Sequence, residues 1–177
     1  MEIKIDILEP FFTNPNTGYT IRNLAKNTGS NHTTVRKYVL YYIKEGLLAK
    51  RPTKPFPTFV ADVGSKKYLN LKLYYNLELI RKSAIVEELE TVYNYPPIVL
   101  FGSFSKAMDD EQSDVDMCII TDIKKNISLE KYEKIVGKKV SIHHFTKKSW
   151  HSAKEKNSEL VNNIANGITL SGQLEIL

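Results

Sequence analysis

The first third of the chain alternates short amphipathic segments with polar turns. Apolar residues recur at helical spacing in three segments, and two short strand-like runs follow them. The predicted elements are helices over about residues 5–14, 21–28 and 32–44 and strands over about residues 47–51 and 58–61. Thr20 is a candidate N-cap for the second helix, and Gly46 ends the third. The loop at residues 52–57 is too rich in proline to be a central strand, which favours a hairpin.

A long stretch without glycine or proline follows, over residues 66–93. Its apolar residues recur at steps of three and four, which is typical of one uninterrupted helix. They are Leu69, Leu73, Leu77, Ile80 and Ala84. We interpret this helix as a rigid connector that could also form a dimer seam. Pro96 and Pro97 end it.

Two apolar runs, residues 97–101 and 117–120, predict buried strands on either side of a polar loop. Asp114 and Asp116 stand where the second strand begins, and alternation along a strand points them to one side. Two carboxylates aimed at one spot repel each other unless a cation lies between them. Mg²⁺ suits such a pair, and it normally shares its coordination shell with substrate phosphates.

The residues after the first run suit the phosphate itself. Gly102 lets backbone approach a phosphate closely, and Ser103 adds a hydroxyl and an N–H group. Half of the predicted site therefore suits phosphate and half suits a metal ion. This combination indicates phosphoryl or nucleotidyl transfer.

At these residues the chain resembles a known superfamily. Phe101-Gly102-Ser103, the twelve-residue step to Asp114, and Asp116 two residues later resemble the signature of DNA polymerase beta-type nucleotidyltransferases, above all their minimal branch. Residues 160–164 and 166–172 are similar to the ending of many such domains, so the resemblance covers about residues 84–177. It implies an α/β (α+β) domain, over residues 94–177, with a mixed sheet flanked by helices. It also implies an NTP substrate, Gly102 and Ser103 on its triphosphate, and Asp114 and Asp116 as catalytic ligands of Mg²⁺ or Mn²⁺.

The chain departs from that family in two places. Ser105 and Ala107 stand where the family usually has a small residue and a glycine. Active members also carry a third carboxylate on a following strand, but the predicted strand at residues 139–145 has none. His143 or His144 could replace it as base or ligand, because a neutral imidazole can do both. The remaining acidic candidates are expected to be solvated loop charges: Asp109, Asp110, Glu111 and Asp122.

Charge is distributed unevenly along the chain. Residues 1–70 hold 11 Lys and Arg against 5 Asp and Glu, whereas residues 71–177 hold 14 against 15. A basic excess confined to one part indicates a polyanionic partner, most simply DNA. Three helices and a hairpin also resemble a winged helix-turn-helix domain, here over residues 1–65 with residues 66–93 as the connector.

In a winged helix, the third helix would enter the major groove and the hairpin would meet phosphate or the minor groove. The helix candidates are Ser30, Asn31, His32, Thr33, Thr34, Arg36 and Lys37, and the hairpin candidates are Lys50, Arg51 and Lys54. A purely structural or dimerising module is the alternative. The tyrosines Tyr38, Tyr41 and Tyr42 are expected in the core or an interface rather than stacked on bases.

Two functions therefore stay open at the level of sequence. One is a DNA-binding nucleotidyltransferase, and the other is a non-catalytic transcriptional regulator with a degenerate transferase domain. An antitoxin-like role belongs to the second class, because minimal nucleotidyltransferases often pair with a small helical partner protein. The chain has no apolar run of membrane-spanning length and no disulfide partner for Cys118, so we expect a cytoplasmic protein with a buried, inert thiol.

Overall fold

A computed structural model describes residues 3–175 of the chain. It divides into two compact units, Met1–Lys72 and Leu73–Leu177. Helices and two separate β-sheets are both present, which confirms the mixed α/β class expected from the sequence. No helix within residues 3–175 is long and apolar enough to cross a membrane.

The N-terminal unit contains three helices followed by a two-stranded antiparallel sheet. The elements are α1 (Ile5–Thr13), α2 (Ile21–Thr28), α3 (His32–Lys44), β1 (Leu48–Arg51) and β2 (Thr58–Ala61). All five lie within about a residue of their predicted bounds. Thr20 caps α2 by accepting a hydrogen bond from the Asn23 N–H, and Asn31 caps α3 in the same way. Polar side chains therefore cap the starts of both helices, and the left-handed Gly29 with the Asn31 cap forms the turn between α2 and α3.

Aromatic side chains fill the core of this unit. The Tyr42 hydroxyl bonds both the N–H and the carbonyl oxygen of Lys4, and burial raises the pKa of Tyr42 to about 12. Tyr38 and Tyr41 are half-buried and pack their rings against it, at centroid distances of 5.9 and 5.7 Å. The prediction that these tyrosines belong to the core is confirmed for Tyr42 and is consistent with the packing of the other two.

The stretch predicted as one helix is two helices, α4 (Lys66–Ser83) and α5 (Ile85–Tyr93). Ala84 separates them with a left-handed backbone, at a φ of 58°. The Ser83 hydroxyl donates to the carbonyl oxygen of Ile80 at 2.6 Å and accepts from the N–H of Ile85. A serine that bonds nearby backbone in this way competes with the regular helical ladder. The helical spacing of apolar residues continues across Ala84, so this spacing did not predict the break between the two helices.

The C-terminal unit is built on a four-stranded mixed sheet in the order β5-β4-β3-β6. Its strands are β3 (Ile98–Phe101), β4 (Val115–Ile120), β5 (Val140–Phe145) and β6 (Ile168–Ser171). Its further helices are α6 (Gly102–Ser105), α7 (Glu130–Val136), α8 (Lys147–Lys156) and α9 (Ser158–Ala165). β4 runs antiparallel to β3 and parallel to β5, and β6 pairs antiparallel with β3.

Alternating residues of β4 serve two cores, one on each face of the sheet. Met117 and its neighbours two residues away pack with Leu89 of α5, whereas Cys118 packs with Trp150 of α8 and Ile164 of α9. Cys118 is fully buried, and this burial raises the pKa of its thiol to about 12. The expectation of a buried, inert thiol is therefore confirmed.

Gly102 joins β3 to α6 in direct contact with β4. Phe101, the residue before it, is paired in register with Asp116. Gly102 has a φ of +74°, and a Cβ atom at this position would lie 2.5 Å from the Oδ2 atom of Asp116. Both the backbone conformation and the approach of the carboxylate therefore require glycine here.

We predict that Gly102→Ala destabilises the protein more than Gly137→Ala does. Gly137 has nearly the same positive φ, +76°, but nothing lies within 4 Å of where its Cβ would be. Gly137→Ala should cost about 1 kcal/mol for the left-handed backbone alone. Gly102→Ala adds the displacement of a carboxylate, about 1–3 kcal/mol more. Urea unfolding of the two variants measures the difference.

The Asp116→Ala background provides the control for this comparison. Without the carboxylate, Gly102→Ala should cost no more than Gly137→Ala, as a double-mutant cycle measures. Equal costs for the two glycine substitutions in the native background would show that Gly102 and Asp116 are not in contact.

Candidate functional site

Three of the four residues predicted to form the transferase site lie around the junction of β3, α6 and β4. Gly102 touches Asp116, and Ser103 follows in the first turn of α6. Asp116 is half-buried, with 30% of its side chain exposed. Asp114 is exposed one residue before β4 begins, and Val115 between the two acids is fully buried. Because side chains alternate along a strand, both carboxylates point away from the core in which Val115 is buried.

His143, on the neighbouring strand β5, is the residue that faces Asp116. Parallel pairing sets Cys118 opposite His143, which places the imidazole on the same face of the sheet as Asp116. Its Nε2 atom lies 3.6 Å from the Oδ1 atom of Asp116. The ring also packs edge-on against Phe101, with 5.0 Å between centroids.

His144 takes no part in this group. Its side chain is on the opposite face, where Nε2 lies 2.9 Å from the carbonyl oxygen of Thr121 and the ring is 5.9 Å from that of Tyr93. Of the two histidines that could replace a third acid, the structure therefore brings only His143 to Asp116.

The prediction that Asp109 is a solvated loop charge is wrong. Asp109 is only 1% exposed, and its Oδ1 atom accepts a hydrogen bond from the Asn76 side chain at 2.8 Å. Its Oδ2 atom lies 3.6 Å from the Nζ atom of Lys138, whose side chain is also buried. The same Asn76 amide donates to the carbonyl oxygen of Phe104 in α6. Asp109 therefore anchors the loop after the Gly-Ser pair.

The other acidic candidates are exposed, as expected, and none joins Asp116. The Asp110 carboxylate closes a turn by accepting a hydrogen bond from the Ser113 hydroxyl. This hydrogen bond lowers the pKa of Asp110. Lys138 donates to the carbonyl oxygen of Asp110. Glu111 follows in that turn, and Asp122 lies beyond the far end of β4, where it accepts from the Lys147 N–H.

Asn76 and Lys138 are the two residues near the site that the sequence did not identify. Asn76 lies on the apolar side of the predicted helix, next to Leu73 and Ile80 at helical spacing. A polar side chain at such a position indicates that it has a buried hydrogen-bond partner. Lys138 gave no such signal, because it belongs to a lysine-rich segment. Its burial depends on the loop from Asp109 to Ser113 folding over it.

Ala107 stands where the family usually has a glycine, and it adopts the left-handed backbone conformation that favours glycine. It is 3% exposed and has a φ of 56°, which is the left-handed region. The next residue, Met108, donates its N–H to the carbonyl oxygen of Ser103 at 3.0 Å. The loop thus closes on the Gly-Ser pair although alanine is a strained choice at this φ.

The donor chemistry at this site fits a hard divalent cation in part. Across residues 3–175, no three His, Cys, Asp or Glu side chains are grouped closely enough to hold a metal ion by themselves. Asp114 and Asp116 offer carboxylate oxygens, and His143 offers a nitrogen beside one of them. Mg²⁺ and Mn²⁺ commonly complete such a partial set with phosphate oxygens and water.

The predicted DNA-binding residues of the N-terminal unit are nearly all exposed. Every one of them is exposed except Thr34, which is half-buried: Asn31, His32, Thr33, Arg36, Lys37, Lys50, Arg51 and Lys54. The Oδ1 atom of Asn31 already accepts the Thr34 N–H at 2.7 Å, which leaves both hydrogens of its amide nitrogen and one lone pair of Oδ1 to contact a partner. Ser30 is half-buried at the turn before α3.

Comparison with known proteins identifies the C-terminal part. The family model described as a nucleotidyltransferase domain matches residues 69–166, more than half of the 177-residue chain. Such domains generally use a divalent metal ion and an NTP. No curated protein matches the chain.

Among solved structures, the chain is similar to a protein from Rhodococcus sp. RHA1 described as a candidate transcriptional regulator. The two are 16% identical with a TM-score of 0.32, over 70% of this chain and 46% of that one. This chain thus spans about half the length of that protein, and so distant a likeness supports no conclusion about function. The assignment rests on the family match together with the fold: the chain belongs to the nucleotidyltransferase domain family.

Proposed function

We propose that the C-terminal unit transfers a nucleotidyl group from an NTP to an acceptor hydroxyl, and that the N-terminal unit is a winged helix that brings this activity to DNA. The contact between the Gly102 backbone and the Asp116 carboxylate carries the first half of this proposal. It sets a metal-binding group directly beside a phosphate-binding turn, which is the arrangement that transfer from a polyphosphate needs.

Each residue then has a defined part. Asp114 and Asp116 would hold Mg²⁺ or Mn²⁺, which when bound neutralises phosphate charge and aligns the attacking and leaving oxygens. Ser103 and the backbone N–H groups at the start of α6 orient the β- and γ-phosphates. The anchor formed by Asp109, Asn76 and Lys138 holds that loop in place.

The transfer needs no reactant other than the NTP and the acceptor. The acceptor oxygen forms a bond to the α-phosphorus, the bond from that phosphorus to the bridging oxygen breaks, and pyrophosphate leaves. The acceptor's proton passes to the Nε2 atom of His143, which lies beside Asp116 on the neighbouring strand. His143 thereby replaces the third acid of the family.

Substitution of either aspartate should abolish transfer and leave the fold intact. We expect Asp114→Asn and Asp116→Asn each to lower the rate by roughly a thousandfold, because several kcal/mol of charge stabilisation is lost. Asp122→Asn, an exposed acid beyond the other end of β4, should leave the rate unchanged. The assay is incorporation of α-labelled NTP in cell extract with Mg²⁺ or Mn²⁺, with circular dichroism to confirm folding.

The non-catalytic alternative has one observation in its favour: the strand next to Asp116 offers an imidazole where active members offer a carboxylate. The same assay decides between the two. Transfer that falls in His143→Ala but not in His144→Ala supports the enzyme and the role of His143. No label on any protein or nucleic acid, with native fold and the NTP still bound, would assign the domain to nucleotide sensing. Label on a co-purifying small protein would identify such a partner as the acceptor.

The proposal of a winged helix rests on the element order and on one additional pairing. Three helices precede the hairpin, and Tyr19, before α2, forms an antiparallel bridge with Phe59 of β2. The bridge extends the small sheet by a third, minimal strand. The exposed face of α3 combines an imidazole and two cations with one apolar side chain at steps of four: His32, Arg36, Leu40 and Lys44. Such a helix can meet phosphates, base edges and thymine methyl groups together.

We therefore expect Arg36→Ala and Lys37→Ala each to weaken binding to duplex DNA. Each removed phosphate contact should also lower the slope of log affinity against log salt concentration by about one. Lys148→Ala, an exposed cation of the C-terminal unit, should change neither quantity. Fluorescence anisotropy with a labelled duplex at several salt concentrations measures both. Equal effects from all three substitutions would mean that α3 is not the binding surface.

A further inference from the structure

The loop between β1 and β2 exposes a large aromatic side chain. Phe56 lies between Pro55 and Pro57, and it is 69% exposed. Every residue from Ala49 to Pro57 is exposed as well, so the loop projects from its unit and does not cover a core. A phenylalanine of this size gains nothing in the folded unit from its position, since its ring remains in water.

The loop holds Phe56 outward on a restricted backbone. Thr53 donates its hydroxyl to the carbonyl oxygen of Phe56 at 2.6 Å. A proline on each side fixes its own φ and removes a backbone donor, which restricts the conformations of the turn. Little conformational entropy is therefore left to lose when the ring is buried by a partner.

The charges around Phe56 indicate the chemistry of that partner. Lys50, Arg51 and Lys54 are exposed on the same hairpin, and residues 47–61 contain no Asp or Glu. An apolar ring surrounded by cations, with no acidic residue nearby in the hairpin, is complementary to a surface on which anions flank stacked apolar groups. The minor groove of DNA has this form, with phosphates along both edges and stacked bases between them. A lone ring offers a lipid bilayer much less than the broad apolar face of membrane-surface helices.

We propose that Phe56 is a wedge that enters a base-pair step from the minor groove when the hairpin binds DNA. This inference rests on the DNA-binding half of the proposed function and extends it. Lys50, Arg51 and Lys54 neutralise the flanking phosphates, and the ring replaces part of the stacking that the opened step loses. Flexible steps such as TA open at the lowest cost, so the hairpin prefers them.

The test uses the full chain and a duplex that carries a fluorescent adenine analogue at a central TA step. Unstacking brightens such an analogue, so wild-type protein should raise its fluorescence at saturation. Phe56→Ala should abolish this rise and weaken binding about tenfold. Phe56→Leu keeps an apolar wedge and should retain most of both effects. Tyr95→Ala removes an equally exposed ring, 70%, from the C-terminal unit and should change neither.

Three results would overturn the inference, and they are distinguishable. DNA binding that depends on Arg36 but is the same in Phe56→Ala and wild type removes the wedge and leaves the proposed function standing. Absence of binding to any duplex overturns both. Binding to phosphatidylserine vesicles that requires Phe56, without brightening of the duplex probe, would assign the hairpin to a membrane surface instead.

Discussion

The close approach of a glycine backbone to a carboxylate organises the candidate transferase site. Phe101 and Asp116 are paired in register, and the chain turns into α6 at the next residue. Because Gly102 has no side chain, the turn passes within contact distance of the Asp116 side chain. Strand pairing alone thus makes neighbours of the turn that we propose to bind phosphate and the acid that we propose to bind a metal ion. Any side chain at position 102 would separate the two halves of the site.

A buried network keeps the loop after that turn in place. Asp109 accepts from Asn76, which also bonds the carbonyl oxygen of Phe104, and Lys138 lies beside the same carboxylate. Buried charges are costly unless they are paired and hydrogen-bonded, so the loss of one partner leaves the others unsatisfied. The network therefore ties α4, the loop after the Gly-Ser pair and the residues just before β5 to one arrangement. The sheet register then places His143 against Asp116.

The sequence predicted most of the elements, because their signals are local. Helix caps such as Thr20 and apolar runs such as residues 97–101 are readable without tertiary information. The Gly-Ser pair and the spacing to Asp114 also predicted the family. The break at Ala84 and the burial of Asp109 and Lys138 were missed, since both depend on hydrogen bonds that apolar spacing does not record. The choice of His143 over His144 required the register of β4 and β5, which sequence periodicity cannot supply.

Selective paramagnetic broadening by Mn²⁺ tests the central claim most directly. His143 and His144 are adjacent in sequence, but their rings lie on opposite faces of the sheet, and only His143 faces Asp116. With a non-hydrolysable ATP analogue present, Mn²⁺ should broaden the imidazole signals of His143 before those of His144, and Asp116→Asn should remove this effect. Broadening of His144 first, or of both rings equally and independently of Asp116, would contradict a metal ion held at the Gly102–Asp116 contact.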